Sequence, residues 1–140
     1  MNKQSTIVEI GRVLLDSLNA HDLSLWEALL ADDYTGSYPS MRHDVDRQVA
    51  KDYNAIFLTA MPDLHFDVQR PIVNGDVVVY QWLGSGTHLG PLALPTGTIP
   101  ATGNQAAVPG VLITTVKQGK IVREETYWNQ VELLEQLGIR

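Results

Sequence analysis

The sequence predicts an α+β fold in which helices come first and antiparallel hairpins follow. Apolar residues recur at helical spacing up to about residue 60, and from Leu64 onward they alternate with polar residues at strand spacing. Tight-turn signals separate the alternating stretches, a pattern typical of α+β domains. The chain has 140 residues, of which 44% are hydrophobic, so we expect one domain spanning residues 1–140.

Two amphipathic helices are predicted at the N-terminal end. Thr6 and Glu9 have the spacing of a capping box, and the apolar stripe that follows them continues to about Asn19. Asp22 and Ser24 are alternative caps for a second, shorter helix.

A short strand and a third helix should follow. Residues 34–38 have strand character, and residues 46–60 return to helical spacing until Pro62 stops the helix.

The second half predicts a sheet and a final helix. The strand patterns occupy residues 64–68, 77–82, 108–116 and 121–129. Asn74-Gly75 predicts a type I′ hairpin turn, and Gln118-Gly119 predicts another tight turn. Residues 84–103 are rich in Gly, Pro and Thr and predict a long loop, which is a candidate rim or lid. Residues 131–137 should form a short terminal helix.

Charge and composition argue against several classes of partner. Sixteen acidic and ten basic residues give a formal charge of −6, so no broad positive field is available for nucleic acid. The chain has no cysteine and no apolar run long enough to span a bilayer. Polar residues at positions 4, 5 and 9 interrupt the apolar run that a signal peptide would need. We therefore expect a cytoplasmic protein without a membrane or nucleic-acid partner.

No motif for a metal or a nucleotide is evident. The histidines at positions 21, 43, 65 and 88 are isolated and lack ligand spacing, so no metal site is expected. The glycines of residues 84–90 do not have the spacing of a phosphate-binding loop. We expect no cofactor.

The last third of the chain carries an ordered series of short motifs. The series is Gly86-Thr87-His88-Leu89-Gly90, Pro95-Thr96-Gly97, Ala101-Thr102-Gly103, Gly119-Lys120-Ile121-Val122, Tyr127-Trp128-Asn129 and Leu133-Leu134-Glu135-Gln136-Leu137-Gly138. In this order it resembles the SnoaL-like polyketide cyclases of the nuclear-transport-factor-2-like superfamily. The resemblance implies a cone-shaped, curved antiparallel sheet, closed by the N-terminal helices around a small-molecule pocket.

The resemblance also implies an activity. SnoaL-like enzymes close a ring by aldol condensation, with a pocket carboxylate as general base and no metal or cofactor. For this chain it suggests aldol-type cyclisation, or a related reaction, of an apolar carbonyl-bearing molecule. A hydrolase, isomerase or dehydratase on the same fold is an alternative, because fold does not fix function. A non-catalytic ligand-binding or association module is another.

The family's aspartate falls on Asn129 in this sequence. Asn129 either polarises a substrate carbonyl or caps the terminal helix. If it faces inward, strand alternation puts Glu125 and Tyr127 on the same face, and Glu125 becomes the candidate base with Tyr127 as a substrate contact. The alternative is that Glu125 pairs with Arg123 or Lys120 on a solvated face.

Other candidate site residues come from the loop and from aromatic positions. His88 is a candidate base or substrate hydrogen-bond partner, or a loop histidine bonded to nearby backbone. Trp82 is either a pocket wall or core. The remaining substrate-binding candidates are Tyr34, Tyr38 and Tyr53.

The resemblance further implies a homodimer that pairs through the outer face of the sheet. The strand at residues 108–116 offers two β-branched or apolar faces. Either Val111, Ile113 and Thr115 lie outside or Leu112, Thr114 and Val116 do, and the sequence leaves this choice open.

Overall fold

The computed structural model describes residues 3–139 of the chain. The helices of this part are α1 (Lys3–Asn19), α2 (Leu23–Ala28), α3 (Arg47–Ala60) and α4 (Gln130–Gln136). The strands are β1 (Leu30–Ser37), β2 (His65–Val68), β3 (Ile72–Asn74), β4 (Val77–Thr87), β5 (Leu92–Leu94), β6 (Gly97–Ile99), β7 (Gln105–Lys117) and β8 (Lys120–Trp128). The α+β class is therefore confirmed.

One six-stranded sheet forms the body of the molecule. Its order is β1-β8-β7-β4-β2, and β3 pairs with β4 beyond the end of β2. The pairs formed by β2, β3, β4, β7 and β8 among themselves are antiparallel, as predicted. The pair of β1, from the helical half of the chain, and β8 is parallel. The sheet is thus mixed rather than purely antiparallel.

The helix caps show which sequence signals correctly located the start of a helix. Asp22 accepts a hydrogen bond from the backbone N–H of Leu25 (3.0 Å), so Asp22 and not Ser24 caps α2. Asp46 caps α3 in the same way. The capping box predicted at Thr6 is wrong, because α1 already begins at Lys3 and Thr6 lies inside it.

Both hairpin turns occur, with one difference. Gln118 and Gly119 both have positive φ (52° and 76°), as a type I′ turn requires. At the other hairpin, β3 includes Asn74, and the turn consists of Gly75 and Asp76. Only Gly75 has positive φ there (62°), so the predicted type I′ geometry centred on Asn74-Gly75 is wrong.

The segment predicted as a loop at residues 84–103 is more ordered than expected. β4 extends to Thr87, and the segment contains the β5–β6 hairpin. Leu92 of this hairpin is 1% exposed and packs into an apolar cluster with Ala60 and Leu137. Burial of this leucine anchors the hairpin against α3 and α4, which Gly and Pro content alone could not indicate.

Side-chain burial identifies the inner face of the sheet. In β7, Leu112, Thr114 and Val116 are buried, whereas Val111 and Ile113 are only partly covered. Of the two faces that the sequence left open, the one with Val111, Ile113 and Thr115 is therefore the outer face, and the homodimer itself stays a prediction. Within residues 3–139, no helix has the length and apolar character needed to cross a membrane.

Candidate active site

A cavity of about 90 Å³ lies between the inner face of the sheet and the helices. Aromatic side chains form much of its wall: Tyr38, Tyr53, Phe57, Phe66, Trp82 and Trp128. Aliphatic residues, mostly from α1, α3, β7 and α4, contribute the greater part of the rest, together with Gly84 and the polar residues Asn54 and Thr126. Among the described residues that line it, Glu124 is the only carboxylate, and no lysine, arginine or histidine contributes.

Glu124 is held by two tyrosines. The carboxyl group lies on a residue that is only 3% exposed. Its Oε1 accepts hydrogen bonds from the hydroxyl groups of Tyr34 (2.7 Å) and Tyr38 (3.1 Å). The two hydroxyl oxygens lie 2.9 Å apart. No described residue donates to Oε2, so that oxygen is the acceptor available to a ligand.

The local backbone brings these three groups together. In the parallel pair of β1 and β8, Gly36 lies opposite Glu124. Tyr34 and Tyr38 flank this glycine at alternate positions and are both buried. A Cβ atom on Gly36 would lie 2.5 Å from the Tyr34 hydroxyl oxygen and 2.7 Å from a ring carbon of Tyr38. Only glycine leaves the space that the two tyrosines occupy.

The surroundings set the charge of Glu124. Burial raises the pKa of Glu124 to about 7, and the hydrogen bonds from Tyr34 and Tyr38 oppose that rise without cancelling it. Burial, followed by the nearby Glu124 charge, raises the pKa of Tyr38 well above its ordinary value. The same two causes raise the pKa of Tyr34. Near neutral pH, Glu124 therefore exists in both forms while both tyrosines keep their protons.

Ring contacts fix the cavity wall. Tyr53 packs between Tyr38 and Phe57, with ring centroids 4.6 Å and 5.1 Å away. Phe57 in turn meets Trp128 edge to face at 5.3 Å. The buried Tyr53 hydroxyl has no described partner in good hydrogen-bond geometry, and burial raises the pKa of Tyr53 to about 12, with Gln130 and Trp128 opposing that rise. The wall is therefore a set of mutually packed rings.

The strand parity expected for β8 is corrected by the structure. Glu124, Thr126 and Trp128 line the cavity, and Glu125, Tyr127 and Asn129 do not. Tyr127 is 54% exposed. Glu125 lies 3.7 Å from the guanidinium of Arg123, which is the alternative given for it from the sequence.

Asn129 is a helix cap, which is one of the two roles expected for it from the sequence, and not a group that polarises a substrate carbonyl. Its Oδ1 accepts a hydrogen bond from the backbone N–H of Glu132 (3.1 Å) and so caps α4. The side chain is exposed, and the residue does not line the cavity. Geometry gives it no access to a ligand in the cavity.

His88 also lies outside the cavity, although it is fully buried. The backbone N–H of Thr102 donates to His88 Nδ1 (3.2 Å), and the His88 N–H donates to the Asn104 carbonyl (2.9 Å). His88 therefore joins the two ends of the 88–104 segment. This is the backbone-bonded loop histidine that the sequence left as an alternative.

The aromatic candidates from the sequence are mostly brought together. Trp82, Tyr38 and Tyr53 line the cavity, and Tyr34, which does not, donates a hydrogen bond to Glu124. Glu124 itself was missed. The alternation Tyr34-x-Gly36-x-Tyr38 was the available signal, because it places two hydroxyl donors on one strand face with a gap between them.

The site is thus an apolar cavity between a curved sheet and the helices that cover it, with Glu124 as the one carboxylate among the described lining residues. The sequence profile of the SnoaL-like polyketide cyclase family matches residues 8–137. The chain belongs to this family. A comparison with curated protein sequences gives no significant match.

Solved structures with the same fold agree with this assignment. A proposed SnoaL-like polyketide cyclase from Jannaschia sp. CCS1 aligns with a TM-score of 0.86 at 21% identity, over 100% of this chain and 96% of that one. IdmH from Streptomyces antibioticus, a proposed polyketide cyclase, gives 0.79 at 24% identity, over 95% and 99%. A protein with a ketosteroid isomerase-like fold from Catenulispora acidiphila DSM 44928, solved in complex with trimethylamine, gives 0.76 at 17% identity, over 94% of each chain.

Proposed function

We propose that the protein is a cofactor-independent enzyme that removes a proton from carbon next to a carbonyl group, with Glu124 as the general base. Aldol-type cyclisation is the reaction that fits the family best. The observation that supports the proposal most directly is Glu124 itself. It is the lone carboxylate of the described cavity lining, it has a pKa near 7, and no described residue donates to its Oε2.

Removal of such a proton needs few catalytic groups. A methylene between two carbonyls is already acidic, and a positioned base with a pKa near the working pH contributes about 10²- to 10⁴-fold. An apolar wall around the substrate also holds a flexible chain folded, so that its two reacting carbons stay close. One buried carboxylate and a shaped cavity are sufficient for both tasks.

The lining indicates the class of substrate. Since no cationic side chain lines the described cavity, it offers no partner for a carboxylate or phosphate. Its packed rings favour an apolar, flat body, and Trp82, Tyr38 and Tyr53 are the proposed contacts. We therefore propose a neutral, carbonyl-bearing, largely apolar substrate.

Hydrogen–deuterium exchange tests the proposal without knowledge of the natural substrate. The probe is 2-indanone, whose α-hydrogens exchange in D₂O when a base removes them, and the rate is followed by proton NMR. The wild-type protein should accelerate exchange, and Glu124→Gln should lower that acceleration by about 100-fold or more.

Glu125→Gln is the matched control, since it makes the same change one residue further on the opposite face of β8. It should exchange the probe like the wild type. Full activity in Glu124→Gln would contradict the proposal, and so would loss of exchange in a folded Glu125→Gln variant.

A binding module without chemistry is the second candidate. Aromatic walls around a single carboxylate suit a small organic cation, which is attracted by ring faces and by the negative charge. The trimethylamine complex of the Catenulispora protein is consistent with such a ligand. Trimethylammonium titrated into the protein at pH 8 should quench tryptophan fluorescence, because Trp82 and Trp128 line the cavity. Binding that is lost in Glu124→Gln, without exchange of 2-indanone, would favour this function.

We also propose that two copies pair through the outer face of the sheet. Leu83 (42% exposed) and Tyr127 (54% exposed) are large side chains on this face, beside Val111 and Ile113. Light scattering of the purified protein should give the mass of a dimer, and Tyr127→Glu should shift it toward a monomer. A wild-type monomer at high concentration would contradict the proposal.

A further inference from the structure

The two tyrosines at Glu124 are not equivalent. Tyr34 makes the shorter hydrogen bond to Oε1 (2.7 Å) and does not line the cavity. Tyr38 makes the longer one (3.1 Å) and does line the cavity. Tyr34 thus contacts the carboxylate without lining the cavity, and Tyr38 lines the cavity beside the carboxylate.

Counting the hydroxyl protons of Tyr34 and Tyr38 shows that Glu124 can lose the hydrogen bond from Tyr38 and still keep one donor. When Glu124 is ionised, Tyr34 and Tyr38 supply only one proton each for three contacts, including their mutual contact of 2.9 Å. The Tyr34 proton occupies the short bond to Glu124. The Tyr38 proton is therefore shared between Glu124 Oε1 and the Tyr34 oxygen. If Tyr38 turns its proton to a ligand, Glu124 still keeps the hydrogen bond from Tyr34.

We propose that Tyr38 is a second catalytic residue, which donates a hydrogen bond to the carbonyl oxygen of the substrate while Glu124 Oε2 takes the α-proton. The proposal rests on the proposed function and narrows its substrate class to enolisable ketones and β-dicarbonyl compounds. Tyr34 is the positioning residue that holds Glu124 throughout.

The step is balanced in atoms and electrons. The α-hydrogen leaves as a proton to Glu124 Oε2, and the electrons of its C–H bond form a carbon–carbon double bond. The electrons of the carbonyl π bond move to oxygen, which becomes the enolate oxygen. Tyr38 stabilises that charge by its hydrogen bond, as preorganised donors do at developing oxyanions.

The positions of the atoms fit one ligand. Glu124 and Tyr38 both line the cavity, and the Tyr38 hydroxyl lies 3.1 Å from Oε1, which shares its carboxylate carbon with Oε2. In an enolisable carbonyl compound, the oxygen and the α-carbon are separated by only two bonds. A single small group can therefore meet the donor and the base together.

The protonation states agree with this division of roles. Burial and the Glu124 charge raise the pKa of Tyr38, so it remains a hydrogen-bond donor over the whole working range. Glu124, with a pKa of about 7, is the group that changes its protonation state.

The experiment compares Tyr38→Phe with Tyr34→Phe, two changes that each remove one hydroxyl from the same carboxylate. Exchange of 2-indanone is measured from pH 5 to pH 9. Both variants lose a hydrogen bond to Glu124, so in both the rate should rise at a higher pH than in the wild type. Tyr34→Phe should recover to within about threefold of the wild-type rate at high pH. Tyr38→Phe should stay about 100-fold lower on its plateau, which is the effect of losing one oxyanion donor.

A binding comparison gives a second readout that does not depend on turnover. The wild type and Tyr34→Phe should bind 2-indanone more tightly than indane, which has the same ring system without the carbonyl group. Tyr38→Phe should lose that preference. Thermal melts of all variants establish that each one is folded.

Each pattern has one meaning. Equal plateau rates for the two tyrosine variants, with unchanged ketone preference, would overturn the role of Tyr38. Wild-type exchange in Glu124→Gln would overturn the proposed function instead. If Glu124→Gln loses exchange while Tyr34→Phe and Tyr38→Phe have equal plateau rates, Glu124 remains the base and only the donor role of Tyr38 is overturned.

Discussion

The two faces of β8 place neighbouring glutamates in opposite environments. On the inner face, Glu124 is buried against the hydroxyl groups of Tyr34 and Tyr38 and lines an apolar cavity. On the outer face, the side chain of Glu125 is 29% exposed and lies beside Arg123. Both residues are glutamates. They differ in their exposure to water and in their partners, which are neutral hydroxyl groups for Glu124 and a guanidinium group for Glu125.

The difference explains why one of the two glutamates is suited to acid–base chemistry. Neutral hydroxyl donors offset only part of the cost of burying a carboxylate, and this raises the pKa of Glu124 into the neutral range. The outer face instead offers water and a guanidinium group, and ion pairs of this kind contribute at most about 1 kcal/mol to stability. Environment, rather than the residue, marks the candidate base.

The largest effect should come from reversing the charge on each face. Glu124→Lys places an ammonium group without a counter-ion in the cavity, and we expect a loss of about 3–5 kcal/mol in the free energy of unfolding. Glu125→Lys should change it by about 1 kcal/mol or less, since the site is solvated. Urea denaturation of the two variants measures the contrast. Equal losses would show that the two faces are energetically alike.

Stability should depend on pH through the inner face. Between pH 4.5 and about 7, the folded protein holds a proton on Glu124 that the unfolded chain has released. The free energy of unfolding should therefore fall as pH rises through this interval, by about 3 kcal/mol in comparison with Glu124→Gln. Denaturation at pH 5 and pH 8 measures the fall.

Glu125→Gln should retain the same fall, because Glu124 is intact in that variant. A wild-type curve parallel to that of Glu124→Gln would mean that Glu124 titrates normally in the folded protein.

Filling the gap beside Glu124 should have a moderate effect. Gly36→Ala adds a Cβ atom within 2.7 Å of both tyrosines, and overpacking of this kind costs about 1–3 kcal/mol. Displaced hydroxyl groups would also donate less to Glu124, so the pKa of Glu124 should rise further. Denaturation and a titration of the exchange rate against pH measure the two effects. A variant with wild-type stability and titration would show that the tyrosines do not need this space.

The smallest effect should come from Asn129, at the outer end of β8. Asn129→Ala removes the cap of α4 and should cost about 1 kcal/mol. Asn129→Asp keeps the cap and should not accelerate exchange of 2-indanone, although it restores the family's aspartate, because residue 129 does not line the cavity. A gain of exchange in Asn129→Asp would show that this position reaches the ligand.

Much of the fold follows from local signals in the sequence. Asp22 and Asp46 cap helices where their side chains can accept the first free N–H groups, and the tight turn predicted at Gln118-Gly119 is present. The β5–β6 hairpin was not predicted, because its anchor Leu92 depends on packing against helices that are distant in sequence. Local sequence signals are sufficient to predict helix caps and tight turns. Whether a polar, Gly-rich segment forms strands depends on how it packs against the rest of the molecule.

The sequence by itself determined that side chains two residues apart share a face of β8. It did not determine which set faces inward. Ile121 is buried and pairs with Val116, and strict alternation from Ile121 would turn Arg123 and Glu125 inward.

The tertiary structure decided otherwise through one irregularity. The register of β7 and β8 shifts between Val116 and Thr115, whose partners are Ile121 and Arg123, so β8 carries one extra residue there. A bulge of this kind reverses the alternation that follows it, and Glu124 therefore faces inward. Its burial is then supported by Tyr34 and Tyr38, which lie 90 and 86 residues earlier in the chain. Alternation is a property of each strand alone, but the register and the partners of a buried charge exist only once distant segments have packed together.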